Sequence, residues 1–243
     1  MFAGSTAALT VLGAPDIIVL TLTEFAAQAH RICRAGHLPL MCDADHGYGN
    51  ALNVMRTIDE LEMAGIAGLS IEDTELPQPF GTGGNGRLLS IDEGTGKMRA
   101  AIAARKDAGL VIAGRTSAPS MTSIVDAIAR AKAYEKAGVD AIFLVGVKSR
   151  VDLDAVAAEI KLPLILGGAS NEIMDRAYLA SRGVRICLQG HQPIMAAVQA
   201  IHDTLKALRD GTAPQRLERV AGDALMKQVT RNADYARWMK DFL

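Results

Sequence analysis

Two aspartates stand two positions apart in the string Asp43-Ala44-Asp45-His46-Gly47-Tyr48-Gly49-Asn50, directly after an apolar run at residues 38–42. If that run is a strand, alternate side chains leave on one side, so both carboxylates would face the same space. Carboxylates that close repel unless a cation lies between them or one keeps its proton. Mg²⁺ suits such a pair, because it takes oxygen ligands and keeps several of its waters. Gly47 and Gly49 would let backbone come close to a ligand. The competing reading is an acid pair that only caps its own loop. Asn50 is best read that way, as the N-cap of the helix that follows. Glu72-Asp73 repeat the theme after the next apolar run, either holding a water of the same cation or capping a helix. Arg115 follows Val111-Ile112-Ala113-Gly114. A guanidinium there is either a bidentate clamp for a substrate carboxylate or an ion-pair partner for the acids, and we favour the clamp. His191, in Gln189-Gly190-His191, is balanced between a structural and a catalytic role. His46 supports the aspartate pair, and His30, His37 and His202 receive no role.

The stretch at residues 77–89 (PQPFGTGGNGRLL) is the longest glycine-rich segment and follows the second acidic pair. A lid over a site would sit there; a plain flexible connection is the alternative. Gly94-Thr95-Gly96-Lys97 looks like part of a phosphate loop, but Met98 stands where a hydroxyl is required and Ile91 where the first glycine belongs.

Some framework must bring these residues together. A helix-period segment ending in glycine and a β-branched residue, then a short apolar strand, recurs at Ala64-Gly65-Ile66, Ala137-Gly138-Val139 and Arg182-Gly183-Val184. Glycine just past a helix takes the left-handed cap, so each triplet marks a helix stop and a strand start. The spacing predicts strands at residues 38–42, 68–71, 110–114, 141–145, 162–166 and 184–188, with Met1-Phe2-Ala3 as the end of another. Helices are predicted at 23–35, 50–64, 90–107, 122–137, 149–160, 171–182 and 193–210. The strands are apolar on both faces, as buried parallel strands are. Such α/β alternation favours a (β/α) barrel over residues 1–210. Residues 211–243 read as a helical tail that packs on the barrel or on a neighbouring subunit. In a barrel, chemistry gathers at the C-terminal ends of the strands, where Asp43/Asp45, Glu72/Asp73, Arg115 and His191 all fall.

Bulk properties narrow the function. The 243 residues are 49% hydrophobic, enough for a large core. Net charge is −1, from 26 basic and 27 acidic residues, which argues against nucleic acid or an anionic membrane as partner. Cys33, Cys42 and Cys187 lack paired spacing and read as reduced thiols of a cytoplasmic protein. No apolar run spans a bilayer, and no signal peptide is recognisable.

The string at residues 43–50 (DADHGYGN), Ile71-Glu72-Asp73 and Ala113-Gly114-Arg115 resemble, in order and over nearly the whole chain, the isocitrate lyase/phosphoenolpyruvate mutase superfamily. Gly4-Ser5, Ala14-Pro15-Asp16, Asn50-Ala51-Leu52-Asn53-Val54 and Gly190-His191 are most similar to its oxaloacetate decarboxylase branch. The resemblance implies a (β/α)8 TIM-type barrel and a homotetramer, a dimer of dimers with an exchanged helix. It implies Mg²⁺ held directly by Asp45, with its waters held by Asp43, Asp16 and Glu72. Backbone around Ser5, Thr6 and Ala7 would bind the carboxylate of an α-keto acid substrate, and Arg115 its oxygens. In that family a first strand and helix, and most of a second strand, precede the point equivalent to Met1, so a barrel short of them is expected.

Departures from the family pattern bear on the reaction. The superfamily's lyases carry a catalytic cysteine in the gating loop, whereas residues 77–89 hold neither cysteine nor histidine. Pro77-Gln78-Pro79-Phe80-Gly81 stands where the phosphonate enzymes place a lysine and an asparagine. Gly167-Gly168-Ala169-Ser170 stands where the decarboxylase branch has a tyrosine. The expected activity is Mg²⁺-dependent decarboxylation of oxaloacetate or a related α-keto dicarboxylate through a metal-stabilised enolate. Arg115 would stabilise the charge and His191 would position the departing carboxylate. The alternatives are another C–C or P–C bond reaction of the superfamily, such as substituted-malate cleavage or a phosphonopyruvate-type conversion, or a shortened barrel that binds a dicarboxylate without catalysis.

Overall fold

Six short strands, Met41–Asp43 (β1), Gly68–Glu72 (β2), Val111–Thr116 (β3), Ala141–Val145 (β4), Leu164–Gly167 (β5) and Val184–Cys187 (β6), pair in parallel, each with the next in chain order. They come from a computed structural model that describes residues 1–243. The sheet curls into a half-barrel with two edges, β1 and β6. Phe2 adds one rung: its N–H donates to the Met41 carbonyl at 2.8 Å, and its carbonyl accepts from Asp43 N–H at 2.9 Å. The expected N-terminal stub is therefore a single parallel bridge to Cys42.

Helices fill the connections: Gly4–Ala7 (α1), Leu22–Ala35 (α2), Ala51–Met63 (α3), Ile91–Ala104 (α4), Ala118–Met121 (α5), Ile124–Ala137 (α6), Arg150–Glu159 (α7) and Arg176–Ser181 (α8). Their ends follow local chemistry. Thr21 and Glu24 form a capping box before α2, and Asn50 caps α3 by accepting from Leu52 N–H at 2.9 Å. Gly138, at φ 98°, stops α6 in the left-handed cap that its triplet predicts. Residues 171–182 do not form one helix. A 3-10 turn at Asn171–Ile173 gives way, and Asp175 caps α8 by accepting from Tyr178 N–H at 2.6 Å.

The central strands β2, β4 and β5 are buried on both faces, whereas the edge strand β6 leaves Arg185 and Ile186 exposed, against the expectation of strands buried throughout; alternation sorts the side chains. Along β4, Ile142 and Leu144 join the layer between sheet and helices, with Leu69, Ile112, Leu164, Phe25, Ile58, Leu61, Met98 and Tyr134. Phe143 points the other way, with Ala113, Ala141 and Ile165. Leu144 is fully buried, so Leu144→Ala should cost about 2–5 kcal/mol. β1 starts later than predicted because Pro39 has no N–H to give. Leu40 takes part through its carbonyl alone, accepting from Ala67 N–H at 2.8 Å.

The chain divides into two compact units, Met1–Gly190 and His191–Leu243. The second carries Gln192–Arg209 (α9), Asp223–Val229 (α10) and Asn232–Phe242 (α11). Met195, Val198, Ile201 and Leu205 are exposed on one face of α9. On α11, Tyr235 and Trp238 meet edge to face at 5.2 Å.

Candidate active site

The acids gather at the C-terminal ends of β1 and β2. β1 ends at Asp43, and the chain then turns, with Asp45 in the left-handed region at φ 48°. Aspartate is among the few side chains that tolerate this conformation. The Asp45 N–H donates to Asp43 Oδ1 at 3.2 Å. The two aspartates are thus joined through a turn, not through alternation along a strand. The turn is sewn to β2: Ala44 N–H donates to the Ser70 carbonyl at 3.1 Å, and Glu72 N–H to the Asp45 carbonyl at 2.8 Å. The Ser70 hydroxyl adds a bond to Asp43 Oδ1 at 3.3 Å.

Arg115, near the end of β3, ion-pairs with Asp43 through Nη1. Its Nε lies 3.2 Å from Glu72 Oε2 but off the hydrogen-bond direction. The guanidinium rests over the Phe143 ring, 5.3 Å from its centroid. Burial opposes its charge, yet Asp43 and Glu72 outweigh burial and hold its pKa above the ordinary value. Arg115 is therefore the counter-ion of two acids here. Its five N–H donors leave capacity for a ligand as well.

Asp45 is worse served. Burial first, then Asp43, Glu72 and Asp16, push its carboxyl up to about 8, with Arg115 only a minor relief. Asp16, exposed on the loop after α1, is thus within electrostatic reach of the cluster. Burial also lifts Glu72 to about 6, against the pull of Arg115. A carboxyl that holds its proton near neutrality for want of positive charge, among further acids, has the chemistry of a hard-cation site. No three His, Cys, Asp or Glu side chains converge into a complete shell. One direct ligand, with other acids a water away, is an arrangement that Mg²⁺ accepts, since it sheds water reluctantly.

The start of α1 closes another side. A Cβ built on Gly4 would lie 2.8 Å from Asp45 Oδ1 and 2.9 Å from its Cγ. The Gly4 backbone therefore packs directly on the carboxylate, and Ser5 and Thr6 follow it in the chain. The Ala7 N–H donates to the Ala3 carbonyl at 2.9 Å. His191 is the exposed N-cap residue of α9, in the second unit.

Comparison with known proteins gives the family of the chain. The family model for phosphoenolpyruvate phosphomutase matches residues 1–209. The chain belongs to this family. An oxaloacetate decarboxylase of Bradyrhizobium sp. (strain ORS 278) is 56% identical over 243 residues, covering 100% of this chain and 84% of that protein. The solved structure of a phosphoenolpyruvate phosphomutase from Streptomyces platensis subsp. rosaceus superposes with a TM-score of 0.85 at 26% identity, over 99% of this chain and 86% of that one. A phosphonopyruvate hydrolase in complex with oxalate and Mg²⁺ superposes with a TM-score of 0.84 at 26% identity, over 99% and 86%.

In this family member the Glu72-Asp73 pair splits. Glu72 faces Arg115, while Asp73 is fully buried against α6, bonded to the Tyr134 hydroxyl at 2.6 Å and to Arg130 Nη1 at 3.0 Å. Sequence reasoning overlooked Arg130 and Tyr134, although their four-residue spacing with Asp126 puts all three on one stripe of α6. Lys97, read from the sequence only as part of a dismissed phosphate-loop likeness, is buried on α4 with its amine pKa pushed down by burial. Burial, then Lys97, depress His46 to about 4, so a neutral imidazole backs the aspartate turn.

Proposed function

We propose that this chain decarboxylates oxaloacetate with Mg²⁺ as cofactor, making it a carboxy-lyase. The observation that carries the reading is 56% identity to an oxaloacetate decarboxylase along the entire chain. The buried acids Asp43, Asp45 and Glu72 beside Arg115 support it chemically. A loop at residues 77–89 without cysteine or histidine suits a reaction that needs no protein acid on that side.

Mg²⁺, when bound, supplies positive charge at the keto oxygen that receives the electron pair of the breaking C–C bond. Asp45 in its ionised form would hold the cation directly, with Asp43, Glu72 and Asp16 holding it through water. Asp43 and Glu72 also fix the Arg115 guanidinium, which turns N–H groups on the oxygen where enolate charge develops. Backbone N–H groups at Ser5 and Thr6 would grip the carboxylate beside the keto group; the Ala7 N–H, which the resemblance adds to them, is already given to the Ala3 carbonyl at 2.9 Å. His191 keeps the role that the resemblance implies, positioning the carboxylate that departs.

The test is direct. With Mg²⁺, the protein should release pyruvate from oxaloacetate far faster than Mg²⁺ alone, and EDTA or Asp45→Ala should abolish the excess. Release at the Mg²⁺-only rate refutes the reading. Phosphonopyruvate and substituted malates in the same assay separate the other reactions of the superfamily.

We also read the protein as a cytoplasmic homo-oligomer, a dimer of dimers, with residues 1–210 as the barrel and 211–243 as its tail. The exposed apolar face of α9 supports a covered helix. The three free cysteines suit a reducing compartment. No helix is long and apolar enough to cross a membrane. Light scattering reads the mass.

A further inference from the structure

The loop at residues 74–88 leaves the chain just after Asp73 and returns just before α4. Backbone bonds tie its neck. Thr74 and Leu88 form an antiparallel bridge. Glu75 N–H donates to the Arg87 carbonyl at 2.9 Å, and Leu89 N–H to the Asp73 carbonyl at 2.8 Å. On the surface, Arg87 Nη2 donates to Glu75 Oε1 at 2.9 Å.

Beneath the neck lies a buried polar network. Arg130 spends one nitrogen on both sides of it: Nη1 is 3.0 Å from Asp73 Oδ2 and 2.9 Å from the Leu89 carbonyl. Tyr134, one turn along α6, donates its hydroxyl to the same Asp73 oxygen at 2.6 Å. Arg130 Nε is held in turn by Asp126 Oδ2 at 2.9 Å, and Asp126 accepts the Thr122 hydroxyl at 2.7 Å. Asp73 and Tyr134 are 0% exposed and Arg130 is 7% exposed. The fold makes room for this network. A Cβ on Gly94 would lie 3.2 Å from Tyr134 Cζ, and one on Gly114 would lie 3.1 Å from Tyr134 Cβ. Both α4 and β3 thus omit a side chain where Tyr134 passes.

Burying charges costs desolvation that their attraction only partly returns, so such a network is weak evidence for stability. Its placement says more. The contacts of Arg130 and Tyr134 converge on residues 73 and 89, the two ends of the loop, and Glu72 next to Asp73 faces Arg115 in the acid cluster.

We propose that Arg130 and Tyr134 are positioning residues that clamp the neck of the 74–88 loop, setting how readily it closes over substrate. The inference rests on the reading of residues 77–89 as a cover for the site. Closure that is populated only in part lowers apparent affinity by that fraction, so a loosened neck raises KM before it touches kcat.

Tyr134→Phe carries the test, because it deletes one hydrogen bond and leaves the ring between Gly94 and Gly114. Arg130→Lys repeats it with the charge retained and the fork lost. Two readouts are needed on the full chain. In oxaloacetate decarboxylation, Tyr134→Phe should raise KM about tenfold with kcat within about twofold, and Arg130→Lys should move the same way. In limited proteolysis, trypsin should cut after the exposed Arg87. Oxalate with Mg²⁺ should slow that cut in the wild type, and both variants should need about tenfold more oxalate for equal protection. A folded Tyr134→Phe with wild-type KM and wild-type oxalate dependence overturns the clamp alone. A fall in kcat at unchanged KM, with protection intact, overturns it too. If oxalate and Mg²⁺ give the wild type no protection, the cover reading fails first and the clamp fails with it.

Discussion

Gly4→Ala tests whether the placement of Asp45 governs the site. The Gly4 backbone lies outside the left-handed region, so alanine fits the chain itself. Its methyl would come within 2.8 Å of Asp45 Oδ1 and 2.9 Å of Cγ, and closer still to Oδ2. Carbon atoms pack at about 3.5–4.0 Å, so the carboxylate must withdraw by about 1 Å. Little else can yield. Asp45 is locked at φ 48°, its N–H donates to Asp43, and its carbonyl accepts from Glu72. Misplacing a reacting group by about 1 Å costs about 100-fold, or about 2.7 kcal/mol of barrier. The expected result is kcat/KM for oxaloacetate about 100-fold lower, with a higher Mg²⁺ concentration needed for half activity. Pyruvate release coupled to NADH oxidation reads both. Overpacking should cost about 1–3 kcal/mol, so the protein stays folded. Gly96→Ala is the control: nothing lies within 4 Å of its Cβ, and a helix interior favours alanine by about 0.5–1 kcal/mol. Its activity should match the wild type. A folded Gly4→Ala with activity and Mg²⁺ dependence within about threefold of the wild type would refute the reasoning.

Four further outcomes are expected. In the metal-free protein Asp45 is raised from 3.8 to about 8, so at neutral pH a cation must displace a proton; apparent Mg²⁺ affinity should fall about tenfold per pH unit below about 8, and calorimetry in buffers of different ionisation enthalpy should detect the proton released. Between those two pKa values the folded state binds more protons than the unfolded one, so this group makes metal-free stability fall as pH rises from about 4 to about 8, and thermal unfolding in EDTA should follow that sign, with Asp45→Asn removing the dependence. Arg115→Lys keeps one charge but loses the fork shared by Asp43 and Glu72, so kcat should drop about 100- to 1000-fold; activity within about fivefold would remove Arg115 from the chemistry. His191→Asn should lower kcat about 100-fold with unchanged Mg²⁺ half-saturation; an equal loss of metal affinity would contradict its assignment to substrate alone.

How far the sequence was legible depends on how local the cause is. Ala141–Val145 is a strand at the predicted bounds because apolar residues follow a left-handed glycine cap, and that signal sits within a few positions. The start of β1 was misread because a proline's missing donor matters only once a neighbouring strand is in place. The acid pair was legible as chemistry but not as geometry. Asp43 and Asp45 meet through a turn at positive φ, which the neighbouring glycines hint at without fixing. Asp73 was not legible at all. Its carboxylate leaves the strand-end cluster because Arg130 and Tyr134 stand behind β2, and nothing local to residue 73 announces a helix that comes so much later in the chain.

The charge count at the strand ends explains why one constellation can serve several reactions. Asp43 and Glu72 share Arg115, and Asp45 has no partner of its own. A second arginine would balance Asp45 but would fill the space a substrate needs. A small divalent ion balances it and still offers coordination sites to a ligand's oxygens. This requirement holds for any reaction that builds negative charge on an oxygen beside a carboxylate, whichever bond breaks. It fits the superposition of this chain on both a phosphomutase and a phosphonopyruvate hydrolase. Choice of reaction must then lie in what covers the cluster. On our reading of the loop at residues 74–88 as a cover, it is such an element, and it springs from the same strand as Glu72. Substitutions at Asp45 or Arg115 should therefore remove activity toward every substrate in the panel. Changes within residues 77–81, which touch no charge in the cluster, should shift preference among substrates while leaving the pH dependence of Mg²⁺ affinity as it was.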